Sequence, residues 1–202
     1  MKHASTRAVF AHWNERRGNR PAPGRSDIDP AAISRALGDT FMLSADFVDQ
    51  LRFRLAGTRV CALFCREIKG EMLSDLWSEK NRGSIENVLS LVMTETSGVV
   101  TGLTGRADDG SAVDLEMLML PLARLGHART SVLGVLAPAA PVYWIGVKPV
   151  VDFEFKTIRH LGSGPVHYTA ARLPAAADGS QVQRSFTVYD GGRAEPATKG
   201  AR

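Results

Sequence analysis

Apolar positions along this chain change their period several times, and each change predicts an element. Val9, Phe10 and Trp13 fall at i, i+1 and i+4 behind Ser5 and Thr6, either of which is placed to cap a helix that Gly18 would end. Residues 18–25 are rich in Gly, Pro and Arg and read as a linker. Asp29 and Pro30 supply an N-cap and a first-turn proline for a small helix running to Leu37, with Gly38 as its stop. From Thr40 the period becomes two. Phe41 to Phe47 and Leu51 to Leu55 then predict a hairpin about an Asp49-Gln50 turn, with Leu51, Phe53 and Leu55 alternating with Arg52 and Arg54. Gly57 breaks that strand, Thr58 caps a short helix over Arg59 to Phe64, and Glu67 to Trp77 reads as irregular turns.

Ser84 caps the longest predicted helix, with Ile85, Val88, Leu89 and Val92 on one face and Gly98 at its end. Three strands follow: Val99 to Arg106, Ala112 to Leu122 and Arg129 to Leu136. The first two join through an Asp108-Asp109-Gly110 turn, so the series is an antiparallel meander. The order is an α+β pattern with its helices grouped in the middle and a sheet of five strands. Past Pro138 and Pro141, Val151, Phe153 and Phe155 alternate with Asp152, Glu154 and Lys156, which predicts a sixth strand or a clip over the domain. From about Gly162 the chain reads as loosely ordered, with a short strand at Ser185 to Tyr189. Four segments result: an N-terminal helical cap and linker (1–39), a core (40–137), a strand or clip extension (138–165) and a tail (166–202).

The strand at Ala112 to Leu122 is apolar on both faces, with Leu115, Met117 and Met119 on one and Leu118 and Leu120 on the other. Its outer face needs a cover. The first helix, with Val9, Phe10 and Trp13, supplies one, either within the chain or across a dimer, and two-fold dimers are the commonest soluble assembly. A homodimer is therefore expected. Arg54 and Glu116 occupy outward positions from which they would pair, at under about 1 kcal/mol if exposed.

Composition narrows the function classes. A length of 202 residues, 44% hydrophobic and 23% charged, fits one globular domain and argues against disorder or a fibre. Met1 to Arg17 is interrupted by His12, Asn14 and Glu15, which excludes a signal-peptide core, and no run approaches the roughly 18 apolar residues of a membrane span. A cytoplasmic protein is expected. Cys61 and Cys65 are too few for a disulfide framework and sit at i, i+4 as two buried structural thiols. The net charge of +4 gathers early, in Arg16, Arg17, Arg20 and Arg25, either as a solvated helix end or as an arm for nucleic acid. The arm is short, so nucleic acid is the alternative reading. His160 and His167 have no third ligand at metal-site spacing, and no nucleophile elbow, phosphate loop or dinucleotide glycine pattern occurs. No metal, no cofactor and no catalytic residue are expected.

Several motifs stand in a recognisable order: Trp13-Asn-Glu-Arg-Arg-Gly18, Pro23-Gly-Arg-Ser-Asp-Ile-Asp-Pro30, Arg52-Phe-Arg-Leu-Ala-Gly-Thr-Arg-Val-Cys-Ala-Leu-Phe64, Arg66-Glu-Ile-Lys-Gly70, Asp75-Leu-Trp77 and Glu116 to Leu122. Together they resemble stand-alone, single-domain PAS-like proteins of alphaproteobacteria over roughly residues 10 to 137, with Val188 to Arg193 as a closing segment. The resemblance implies a PAS-like sheet with helices on one face. It also implies a sensory or regulatory role without an attached output domain, acting on an unidentified signalling partner or through a small ligand.

It further implies a cavity between sheet and helices, lined by Phe53, Leu55, Phe64, Leu76, Trp77, Val88, Val92, Leu115 and Met117. The plainer outcome is that these side chains fill one another's space. Trp77 is singled out because a buried indole N–H needs a partner. The long helix holds no histidine to ligate haem, and Cys65 lies in no flavin-photoreceptor motif.

Overall fold

The computed structural model describes residues 1–45, 50–94, 97–123 and 131–161. The tail 166–202, with its Ser185 to Tyr189 strand and Val188 to Arg193 segment, lies outside the described residues, as does Asp49 of the 49–50 turn.

The first helix, α1, spans Ala4–Arg17 and ends at Gly18, whose φ of 53° suits a residue without Cβ. Its cap is His3 and neither Ser5 nor Thr6: the His3 Nδ1 accepts the Ser5 amide at 3.2 Å. Ser5 is committed elsewhere, its hydroxyl donating to Asp39 at 2.5 Å. The helix predicted after Pro30 is shorter and later than its caps suggest, a 3-10 segment at Ser34–Asp39 that contains Gly38.

Six antiparallel strands form one sheet: β1 (Thr40–Ala45), β2 (Leu51–Ala56), β3 (Gly98–Ala107), β4 (Ala112–Leu122), β5 (Ser131–Pro138) and β6 (Val150–Leu161), in the order β2-β1-β5-β4-β3-β6. The expected five become six because the alternating segment after Pro141 is a sheet strand. It pairs along β3, with Leu103 opposite Phe155 and Gly105 opposite Phe153, and both phenylalanines are buried. The meander β3-β4-β5 is as expected.

Between β2 and β3 in sequence lie two helices: α2 covers Thr58–Phe64 and α3 covers Glu79–Thr94. The latter starts five residues before Ser84. Asp152 of β6 explains the earlier start, since its carboxylate accepts the Ser78 amide at 2.9 Å and the Asn81 side-chain amide at 3.0 Å. A partner from across the fold thus stands in for a local cap.

Each face of the sheet carries its own apolar layer. The inner layer joins the sheet to α2, α3 and the turn at Leu73–Leu76. The outer one joins Leu118, Leu120, Leu133 and Val135 to Val9 and Trp13 of α1. Gly134 of β5 lies opposite Phe41, and a Cβ there would sit 2.1–2.6 Å from three ring carbons of Phe41. Gly134→Ala is expected to lose about 1–3 kcal/mol of stability through overpacking. Urea denaturation reads this, and an unchanged midpoint would mean that the ring swings aside freely.

Candidate functional site

Eight of the nine side chains expected to line a cavity come together in the inner layer. Phe53, Phe64, Trp77, Val88, Val92, Leu115 and Met117 are all at most 5% exposed, as is Leu76. Phe153 and Phe155 of β6 join them: Trp77 lies 4.7 Å from Phe153 and 6.2 Å from Phe155, and Phe64 lies 5.8 Å from Phe153. Sequence reasoning left these two out because nothing local tied the strand to the core. The Trp77 indole N–H is buried without a partner among the described residues, at a cost on the order of 1–3 kcal/mol.

Leu55 is the exception and requires correction. It is 52% exposed on the outer face. The ladder pairs Leu43 with Phe53 but Met42 with Leu55, so Arg54 is the extra residue of a β-bulge. A one-residue bulge inverts the side-chain alternation beyond it, which the alternating pattern alone does not reveal.

The residues expected at a subunit interface also need correction. Val9, Trp13, Leu118 and Leu120 are at most 2% exposed because α1 covers the sheet of its own chain. The Trp13 indole donates to the Pro121 carbonyl at 2.8 Å, and Phe10, half-buried, stacks at 6.3 Å on Trp13. Glu116 does not pair with Arg54, since β1 and β5 separate their strands. Its carboxylate instead accepts the Lys2 and His3 amides at 2.7 and 2.9 Å. Burial opposes its charge, yet these amides hold its pKa below the usual glutamate value.

Asp39, 2% exposed, accepts two hydrogen bonds from Arg59 of α2, at 2.6 and 2.9 Å, besides the one from Ser5. Burial would raise its pKa, but Arg59 and Ser5 outweigh burial and lower it. One buried carboxylate thereby ties together α1, the 3-10 segment before β1, and α2.

Two open spaces among the described residues bear on the site. A cavity of about 480 Å³ runs between α3 and the start of β2, lined by Leu51, Met72, Leu89 and Met93 together with the polar Gln50, Ser74, Arg82, Glu86, Ser90 and Thr94. None of these was among the expected lining. Arg82 reaches Asp75 at 3.6 Å, while its Nε is buried without a hydrogen-bond partner among the described residues. A second cavity, about 450 Å³ and almost wholly apolar, lies on the outer face beside Leu55.

The remaining candidates yield little. Cys61 is buried and burial pushes its thiol pKa up, the opposite of an activated nucleophile. Cys65, expected to be buried, is exposed at the left-handed C-cap of α2, with φ 53°. His167 lies outside the described residues, and no group of three metal-type side chains gathers among the described ones. In the arginine arm, Arg17 lies over the Trp13 ring at 5.4 Å, and Arg20 pairs with Asp27 at 2.9 Å and donates to the Arg16 carbonyl. These local contacts give the nucleic-acid alternative no support. No described helix is long and apolar enough to cross a membrane.

Comparison with known families decides the class: the PAS domain model matches residues 1–137. The chain belongs to the PAS domain family. The match includes α1 and its linker as well as the sheet through β5, so the N-terminal helix is part of the PAS unit. No curated protein matches the chain. Among solved structures, an RNA-binding Light-Oxygen-Voltage receptor is similar at 17% identity and a TM-score of 0.42, over 54% of this chain and 33% of that one. A PAS domain of a Colwellia psychrerythraea protein is similar at 15% identity and a TM-score of 0.38, over 52% of this chain and 92% of that one. This chain thus spans about a third of the receptor.

Proposed function

We propose that this PAS protein is a sensory or regulatory module that binds a small ligand beside α3 and passes its state on by association, without catalysing a reaction. The cavity at Arg82 carries the reading. It combines four apolar side chains with a half-buried guanidinium whose Nε lacks a partner among the described residues, and with Glu86 four residues on in the same helix, within the roughly 300–1,000 Å³ of small-molecule sites. A compact amphipathic molecule with an acceptor for Arg82 and a donor for Glu86 fits that chemistry.

Transmission follows from placement. Ile85, Val88, Leu89 and Val92 of α3 pack into the inner layer, so a ligand that favours one seating of α3 shifts the population of the domain. Association with a signalling partner, or with a second copy, then uses surfaces other than Val9, Trp13, Leu118 and Leu120, which are consumed inside the chain.

Native mass spectrometry of the purified full chain tests this. A retained adduct that is lost in Arg82→Ala, with the fold intact, is the expected result. A bare mass, together with no melting shift across a metabolite panel, would remove the ligand arm.

A further inference from the structure

The outer-face cavity has a different chemistry from the one beside α3. One wall is the segment after α1, through Ile28, Ile33 and Leu37; the other is the sheet, through Met42, Leu55 and Leu133. Its polar side chains are the hydroxyls of Thr40 and Thr58, and the Thr40 hydroxyl already donates to the Ala36 carbonyl at 2.8 Å. No carboxylate and no aromatic ring lines it among the described residues.

Two sequence features build it. The bulge at Arg54 turns Leu55 outward, and Gly57 brings the start of α2 against the 3-10 segment so closely that a Cβ on it would lie 2.2 Å from the Leu37 carbonyl oxygen. Leu37 and Leu55, 39% and 52% exposed, flank the same space. Two large aliphatic side chains left in water around one cavity mark a binding surface.

Charge specifies the occupant. Arg35 stands in the chain between the lining residues Ile33 and Leu37, and Arg54 immediately precedes Leu55; both are exposed, and none of the described ion pairs uses either. Arg59, whose guanidinium lies on Gly38, is neutralised by Asp39. A hydrocarbon-lined space with two exposed arginines next to its lining residues in the chain, neither in a described ion pair, complements an anion with an aliphatic chain, because the guanidinium fork matches a carboxylate in two hydrogen bonds.

We propose that this cavity binds a free long-chain carboxylate, its chain between Ile33 and Leu133 and its head group at Arg35 and Arg54. The inference is independent of the α3 cavity, and the failure of either leaves the other standing.

Titration of the full chain with cis-parinaric acid, followed by displacement with dodecanoate, tests it. One saturable site is expected, with dodecan-1-ol at least tenfold weaker than dodecanoate. Leu55→Glu and the double variant Arg35→Glu/Arg54→Glu, all at exposed positions, are each expected to weaken binding at least tenfold without lowering the melting temperature, whereas Arg82→Ala leaves it unchanged. Absence of saturable uptake, equal affinity for the alcohol and the acid, or loss in Arg82→Ala with retention in Leu55→Glu would each overturn the proposal. Binding of an acidic, leucine-containing peptide with no binding of dodecanoate would make the groove a protein-partner surface and overturn it as well.

Discussion

Trp13→Ala is expected to lower the unfolding free energy by about 3–5 kcal/mol. Trp13 is 2% exposed, its ring closes the outer layer over Leu118 and Leu120, and its N–H satisfies the Pro121 carbonyl at 2.8 Å. Truncation removes a large apolar side chain, leaves a cavity and strips that carbonyl of its donor, three costs of one sign. The measurement also distinguishes how α1 is docked. If α1 covers its own sheet, the difference between wild type and variant stays the same at every protein concentration. If the helix belonged to a second subunit, the variant's loss would grow as protein is diluted, because dissociation would add to unfolding. A concentration-dependent difference would therefore sink the intrachain assignment.

What the chain's pattern disclosed and what it concealed divide along one physical line. Local periodicity carried the two apolar faces of β4 and the stripe of α1, because burial on a strand or a helix repeats at a fixed interval. It also suggested that the one should cover the other. The choice between an intrachain and an intersubunit cover depends on the reach of the linker at 18–25, which periodicity does not encode. The same limit explains Leu55: the alternation from Leu51 is regular, and only pairing with β1 shows that Arg54 is extra.

Long-range partners were hidden for the same reason. Asp152 reads as the polar half of an alternating strand, and its role in starting α3 appears only when β6 lies beside β3. Ser5 reads as a cap, yet its hydroxyl serves Asp39, 34 positions away. The motifs did better on family than on site. They are consistent with the PAS domain match, but a shared fold does not say which space within it stays open. Both cavities are lined largely by residues that look unremarkable in sequence, such as Ser74, Ser90 and Leu133.

Arg59→Ala is expected to cost about 3 kcal/mol near neutral pH, toward the lower end of the range for breaking a buried ion pair. Asp39 is the buried partner, and after the substitution its carboxylate would retain only the Ser5 hydroxyl. The Arg59 side chain is 55% exposed, so solvent screening holds the loss down. The pH dependence has a definite sign. Burial would raise the Asp39 pKa, but Arg59 and Ser5 keep it below 3.8, so the stability it confers is complete above that value and is lost as pH falls through the folded-state pKa. Without Arg59, burial goes largely unopposed and the carboxyl titrates higher. Protonation then relieves the variant before the wild type, and the gap between them narrows as pH falls from the variant's raised Asp39 pKa toward the wild type's lowered one. Urea denaturation of both proteins from neutral to acid pH measures that gap, and Asp39→Asn supplies the control: in that background, removing Arg59 should matter much less. A gap that stays constant with pH, or a full loss in the Asp39→Asn background, would mean that Arg59 acts through packing on Gly38 and its bond to the Arg35 carbonyl, with its charge incidental. A narrowing gap would make Asp39 the electrostatic tie between α1 and α2, and any ligand that draws Arg59 outward would loosen the helix covering the sheet.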